Sequence, residues 1–168
     1  MKNFMVFVVF YTAIVSTCLA DTASPHEIIR DWSRGSTLSM FIDSVDGFDE
    51  TWLTEIAHTS SGRQYLMFQK LNGDSNTCTP NASESDIRTN VWQFNGQSIQ
   101  MVEWCLKYSD SDTYYLNAAI KTDDGESWVH DLFTKSEWVE VKQGNESKVR
   151  ISAKGFSKNW LEAGGNAL

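Results

Sequence analysis

The chain has 168 residues and carries 22 aspartate and glutamate residues against 14 lysine and arginine residues, for a net charge of −8 at pH 7. This length suits one domain with a substantial hydrophobic core. The acidic balance argues against nucleic acid as a partner, because phosphate binding depends on clustered lysine and arginine. It also disfavours anionic membrane surfaces and is compatible with a basic protein partner.

The first 20 residues have the three-part pattern of a secretory signal peptide. Lys2 supplies the only charge, residues 4–15 are almost entirely apolar, and small residues precede Ala20. The apolar run is shorter than the roughly 20 residues that a membrane span requires, so we expect cleavage after Ala20. An uncleaved N-terminal anchor is the alternative. We therefore predict a signal peptide over residues 1–20 and one secreted or periplasmic domain over residues 21–168.

Cysteine usage agrees with export. Cleavage removes Cys18, although residues 15–18 loosely match a lipoprotein cleavage box, which makes lipid anchoring at Cys18 an alternative. Cys78 and Cys105 then form an even pair, which predicts one disulfide in an oxidising compartment, worth about 3–4 kcal/mol. Two free thiols are the alternative. The three histidines lack the close spacing of zinc ligands, so we expect no metal site, and no motif indicates a cofactor.

A helix is expected at the start of the mature chain. Ser24 is a favourable cap, Pro25 suits the first turn, and Glu27 follows Ser24 by three residues. Gly35 would end this helix. Residues 38–45 are mostly apolar and fit either a strand or a second short helix.

From about residue 51 the pattern is that of β-strands. Residues 52–58 and 64–71 read as strands, and the polar residues 72–86 read as a surface loop tethered by Cys78. Asn95-Gly96 is a strong two-residue hairpin signal because both residues tolerate a positive φ. Further strands are expected at residues 87–94, 97–108, 114–122, 126–133, 138–142 and 148–153, and a short helix at residues 157–163.

Alternation along residues 97–108 divides this strand into two faces. The expected core face contains Val102, Trp104, Leu106 and Tyr108. The opposite face contains Met101, Glu103, Cys105 and Lys107. Because the connections after residue 86 are short, neighbouring strands should be antiparallel. We therefore predict an α+β fold, an antiparallel sheet meander that is either open or partly closed into a barrel, with short N-terminal and C-terminal helices and one disulfide.

No arrangement of residues identifies a catalytic site. Ser75 follows a Gly-Asp pair but lacks the strand–turn–helix context of a nucleophile elbow. Glu103, beside Trp104, is the best single candidate for a glycosidase acid, although a solvated strand face explains it equally well. His130 and Asp131 would point to opposite sides of the expected strand, which opposes an acid–base pair.

Two acidic clusters are candidates for calcium sites. Asp43, Asp46, Asp49 and Glu50 surround Gly47 without the alternating spacing of a calcium loop. Asp110 and Asp112 alternate, but no glycine follows them where a calcium loop needs one. Acidic turns are the simpler interpretation of both clusters.

The seven tryptophans are the most distinctive compositional feature. Most should fill the core, but exposed tryptophan and tyrosine commonly anchor protein interfaces. Trp128, Trp138 and Tyr115 are the candidate partner-binding residues. Asn81 and Asn145 each begin an N-glycosylation sequon in an expected loop, which matters only in a eukaryotic host.

These features favour an exported, non-enzymatic binding protein that acts on a protein partner, for example an envelope or secreted inhibitor or immunity-type protein. The partner would be basic if charge guides recognition. The first alternative is a carrier that holds a small apolar ligand in a barrel. The second alternative is an enzyme whose site the sequence does not reveal.

Overall fold

The computed structural model describes residues 26–43, 48–72, 78, 87–111, 113–144 and 148–164. The export segment, Cys18, Ser75 and both sequons lie outside these residues. The strands are β1 (His26–Ile29), β2 (Ser36–Asp43), β3 (Phe48–His58), β4 (Gln64–Asn72), β5 (Arg88–Phe94), β6 (Gln97–Lys107), β7 (Tyr114–Ile120), β8 (Trp138–Gln143) and β9 (Lys148–Ser152). The helices are α1 (Asp123–Lys135) and α2 (Phe156–Ala163).

All nine strands belong to one antiparallel sheet in the order β1-β2-β3-β4-β7-β6-β5-β8-β9. The β5–β6 hairpin turns at Asn95 and Gly96, whose φ angles of 46° and 84° are those expected for this dipeptide. The predicted pairing of the last two strands is also present, with Trp138 opposite Ser152. The sheet confirms the predicted α+β class with antiparallel topology.

The two edges of the sheet meet, so the sheet curls into a nearly closed barrel. Trp32 joins the edges: its backbone N donates to Lys154 O at 3.0 Å, and its indole Nε1 donates to Ser152 O at 2.6 Å. Beside it, Arg150 of β9 pairs with Glu27 of β1 at 2.5 Å. Side chains therefore join the outermost strands, where the sheet has no continuous ladder.

The barrel interior is filled by large aromatic side chains. Trp52, Phe68, Trp92 and Phe94 are almost completely buried. The Trp52 and Trp92 rings meet edge to face at 5.3 Å, and Phe68 contacts both Trp92 and Phe94. Such pairs add about 0.5–1.5 kcal/mol each beyond the burial of their area.

Helix α1 lies across the end of the barrel where β6 begins and β7 finishes. Gly125 faces Ile99 and Ile120 there. Val129 and Phe133, one and two turns further along, are also buried. Phe133 packs on Phe156 of α2 at 5.2 Å, so the two helices close this end together.

Two expected elements were wrong in type, and one open choice is resolved. Ser24 and Pro25 lie outside the described residues, and His26–Ile29 form strand β1 rather than a helix. The undecided residues 38–45 fall largely within strand β2. Asp123-Asp124-Gly125 also resembles a hairpin turn leading into the strand expected at residues 126–133, but all of these residues belong to α1.

Capping, charge and apolar spacing explain why α1 is a helix, although the same residues also fit the alternation of a strand. Thr122 caps it: its Oγ1 accepts a hydrogen bond from Gly125 N at 3.1 Å. Acidic residues in the first turn and Lys135 in the last complement the helix dipole. Gly125, Val129 and Phe133 recur every four residues and form the buried face.

The assignment of faces on β6 was also wrong. Met101, Glu103 and Cys105 point into the barrel and are buried. Val102, Trp104 and Leu106 are only half-buried on the outer face. Because strand faces alternate, a single misassignment inverted all residues from Met101 to Leu106. The misleading signal was Glu103, a charged residue inside the core.

Cys78 and Cys105 form the predicted disulfide, with their Cα atoms 5.7 Å apart. Cys105 is buried on the inner face of β6, and Cys78 packs against the core. Neither described helix is long and apolar enough to cross a membrane.

Candidate protein-binding surface on helix α1

The exposed side of α1 presents a tryptophan between acidic residues. Trp128 is 38% exposed, although its neighbour Val129 is completely buried. Asp124 stands four residues before Trp128 and Asp131 three residues after it, and both are exposed. This spacing places the three side chains on one side of the helix. We call Asp124, Ser127, Trp128 and Asp131 the α1 face.

A groove of about 540 Å³ lies beside Trp128, between the first turn of α1 and the start of β6. Its lining is uncharged apart from Asp124 and is rich in amide and hydroxyl groups. These groups come from Gln97, Ser98, Gln100 and Thr122. Amides and hydroxyls can both donate and accept hydrogen bonds, so this lining suits the backbone and polar side chains of a protein segment.

The α1 face rests on a rigid support. A Cβ atom added at Gly125 would stand 2.9 Å from Thr122 Oγ1 and 3.0 Å from Ile120 Cγ2. The helix therefore approaches the sheet as closely as a glycine allows. Val129 and Phe133 fix the following turns in the core. A surface held this firmly loses little conformational entropy on binding.

The other two candidate partner-binding residues lie elsewhere. Trp138 is 47% exposed at the start of β8, but the guanidinium of Arg150 stacks over its ring at 5.4 Å. Arg150 also pairs with Glu27, so Trp138 belongs to the joint between the sheet edges. Tyr115 is half-buried and packs on Tyr108 at 4.7 Å. Tyr115 lies near the start of β7, whereas α1 packs where β7 finishes.

Glu103 is an internal anchor and not a surface acid. Its carboxylate is completely buried. Oε2 accepts from Arg88 Nε at 2.7 Å, and Oε1 accepts from Asn90, Trp92 and Gln143 at 3.0, 2.6 and 3.2 Å. Three of these donors come from β5 and one comes from β8, and together they hold the carboxylate in place. This saturation suits a structural role better than proton transfer to a substrate.

A second charged pair lies inside the barrel and was missed by sequence reasoning. The Lys70 side chain is 2% exposed, and its Nζ lies 3.3 Å from Glu50 Oε1. Trp52 Nε1 donates to the other oxygen of Glu50 at 3.2 Å. Lys70 lies on the same face of β4 as the buried Phe68 and Leu66, two and four residues before it. This spacing is the only feature of the sequence that indicates a buried position for Lys70.

His130 lies on α1 and not on a strand. Its ring packs against Trp160 at 4.8 Å and against Phe156 at 5.4 Å. His130 Nδ1 lies 3.9 Å from Asp131 Oδ1, a separation too long for a hydrogen bond.

Among the described residues, no group of three histidine, cysteine, aspartate or glutamate side chains could hold a metal ion. Asp46 and Asp112 lie outside the described residues. So do the side chains of Asp43 and Asp49. The two acidic clusters that are candidates for calcium sites therefore fall mostly outside the described residues.

Comparison with family models, with curated proteins and with solved structures finds no match for this chain. Its function must therefore be argued from its own residues.

Proposed function

We propose that the chain is an exported, non-enzymatic binding protein that acts on a protein partner through the α1 face. The observation that carries this proposal is Trp128, a large aromatic side chain left 38% exposed on a helix that is otherwise anchored in the core. Tryptophan is enriched among residues that dominate interface energies. The groove beside it, whose lining is polar with Asp124 as its one charged residue, offers room for a partner's side chains.

Charge indicates the chemistry of the partner. The chain has a net charge of −8, and Asp124 and Asp131 flank Trp128. Asp131 pairs with Lys135 at 2.7 Å, so Asp124 and the net charge of the chain supply the negative potential around Trp128. This potential favours a basic partner surface, because complementary potentials speed association and exclude acidic competitors. An envelope or secreted inhibitor of a basic hydrolase, or an immunity-type protein, would work in this way.

Export is part of the proposal. The Cys78–Cys105 disulfide and the lack of a membrane-spanning helix among the described residues are compatible with an extracellular or periplasmic location. The signal pattern of residues 1–20 supports the same location.

A carrier of small apolar ligands is the second candidate, and the nearly closed barrel favours it. The interior offers less support, because Trp52, Phe68, Trp92 and Phe94 occupy it. Native mass spectrometry of the purified protein separates the two candidates. A co-purifying apolar molecule would favour the carrier, and a bare mass would favour the binding protein.

The binding proposal is tested by capture from the secreted or envelope fraction of the host. The full chain is expressed with its own N-terminal segment, recovered from the medium or periplasm, and immobilised. We expect one basic protein to be retained at low salt, released at high salt, and lost with Trp128→Ala but kept with Trp138→Ala. If Trp128→Ala retains the same proteins as the wild type, the α1 face is not the binding surface.

A further inference from the structure

A second cleft, of about 470 Å³, lies on the neighbouring side of α1, between α1, α2 and the β3–β4 turn. It differs from the groove beside Trp128 because ionisable and aromatic side chains line it. The residues that matter here are Arg63, Gln64, Asp123, Glu126, His130 and Trp160.

Two carboxylates of this cleft hold a guanidinium from the chain itself. Arg63 Nη1 lies 2.8 Å from Asp123 Oδ1, and Arg63 Nη2 lies 3.4 Å from Glu126 Oε2. The Glu126 side chain is 17% exposed, whereas the Arg63 side chain is 58% exposed. The Glu126 carboxylate is thus built into the cleft wall, whereas Asp123, 86% exposed, and Arg63 lie on the open side.

Aromatic side chains from both helices complete the lining: His130 from α1, on the same helix face as Glu126, and Trp160 from α2. The rings of His130 and Trp160 meet edge to face, with their centroids 4.8 Å apart. Gln64 Nε2 donates to Trp160 O at 2.8 Å, which joins α2 to the first residue of β4. An aromatic ring beside carboxylates is the combination that recognises organic cations, because both the ring face and the carboxylate attract positive charge.

We propose that this cleft binds a cationic side chain, an ammonium or guanidinium, in exchange for Arg63. The assignment of the cation to a protein partner rests on the proposed function. The preference of the cleft for cations is independent of it. Arg63 already demonstrates that Asp123 and Glu126 accept a guanidinium. An exposed ion pair of this kind is worth at most about 1 kcal/mol, so a better-placed cation can displace it.

The state of Glu126 agrees with this assignment. Burial is the largest influence and raises the pKa of Glu126 above its usual value, while the nearby Arg63 opposes that rise. The carboxylate is therefore only partly compensated by Arg63. A second cation, or a closer one, would favour its charged form.

The exchange predicts an unusual result for Arg63→Gln. This substitution removes the competing cation but leaves both carboxylates and the aromatic side chains. An added cation should then bind more tightly, by up to about fivefold, which corresponds to the worth of the exposed pair. Glu126→Gln should weaken binding by about tenfold, because it removes a charge-assisted hydrogen bond.

The test is an NMR titration of the full chain, recovered after export, with Nα-acetyl-arginine methylamide and Nα-acetyl-lysine methylamide. The neutral Nα-acetyl-norleucine methylamide is the matched probe. We expect the His130 ring and Trp160 indole signals to shift with the cationic probes only. Glu140→Gln, which removes an acidic side chain on β8, should leave the affinity unchanged. Thermal melts of each variant check that it is folded.

Equal shifts with the norleucine probe would overturn the inference, and so would weaker binding by Arg63→Gln than by the wild type. These failures differ from failure of the proposed function. If the cationic probes bind but no partner depends on Trp128, the binding-protein proposal fails alone. If a Trp128-dependent partner is found and the probes do not bind, the cleft inference fails alone.

Discussion

The indole Nε1 of Trp92 donates a 2.6 Å hydrogen bond to Oε1 of Glu103 inside the barrel. The two side chains come from the neighbouring strands β5 and β6, and Gln143 of β8 donates to the same oxygen. One buried carboxylate therefore links three adjacent strands. A residue whose type suggests solvent or catalysis is instead part of the core.

Removing this carboxylate should destabilise the fold strongly. Glu103→Ala leaves Trp92, Asn90 and Gln143 without their acceptor, so we expect the free energy of unfolding to fall by about 3 kcal/mol or more. Urea unfolding followed by tryptophan fluorescence measures the change. Glu103→Gln keeps an acceptor oxygen and should lose less.

Glu140→Ala is the surface control for this prediction. Glu140 is partly exposed on β8 and pairs with Lys148 at 2.6 Å, so its loss should cost less than about 1 kcal/mol. If Glu103→Ala and Glu140→Ala lowered stability equally, the internal anchor would have no special role.

The disulfide should contribute substantially to stability. Cys78→Ala combined with Cys105→Ala is expected to lower the free energy of unfolding by about 3–4 kcal/mol, because the open chain gains entropy when unfolded. Reductant should shift the wild-type urea midpoint to the same extent and leave the double variant unchanged. A wild-type midpoint that is insensitive to reductant would contradict this expectation.

Gly125→Ala should destabilise the protein, although alanine favours helix formation by about 1 kcal/mol. The new methyl group would stand 2.9–3.0 Å from Thr122 Oγ1 and Ile120 Cγ2, so we expect a net loss of about 1–3 kcal/mol. Ser127→Ala, on the exposed side of the same helix, should be neutral or slightly stabilising. A gain in melting temperature with Gly125→Ala would mean that α1 does not press on the sheet.

The burial of Glu55 makes the stability of the folded protein depend on pH. Burial raises the pKa of Glu55, so the folded protein holds this proton more tightly than the unfolded chain does. The resulting stabilisation is present below the ordinary pKa of 4.5 and is lost as the pH rises through the folded-state value. Glu55→Gln should therefore raise the melting temperature at pH 7.

The advantage of Glu55→Gln should disappear at about pH 3.5, where the wild-type carboxyl is also neutral. Glu137→Gln removes the same charge from an exposed position and corrects for the acidity of the whole chain. An advantage of Glu55→Gln that persisted at low pH, or one matched by Glu137→Gln at pH 7, would contradict the assignment to burial.

Local signals predicted the parts of the fold that depend on local chemistry. Asn95-Gly96 specified its hairpin because few other residues tolerate its backbone angles. Cys78 and Cys105 specified their bond because only two cysteines remained after the expected cleavage. The short connections after residue 86 predicted antiparallel neighbours, although β4 pairs with β7 and β8 with β5 through contacts distant in sequence.

The incorrect predictions concern residues whose structure depends on packing against distant parts of the chain. The apolar positions of α1 also fit a short strand, and the helix is seated by the contact of Gly125 with Ile99 and Ile120, which come from β6 and β7. Glu103 and Lys70 could not be placed inside the core, because their partners come from other strands. Residue type alone suggests that Trp128 is exposed, because its exposure depends on which side of α1 meets the barrel.

The most direct test of the account is the affinity of the isolated partner for three forms of the chain. Isothermal titration calorimetry should give a dissociation constant for Trp128→Ala at least about 30-fold weaker than for the wild type, because a central tryptophan anchor is worth about 2 kcal/mol or more. Trp138→Ala should stay within about twofold, since the ring of Trp138 is engaged by Arg150. Equal affinities for the wild type and Trp128→Ala would contradict the assignment of the α1 face as the binding surface.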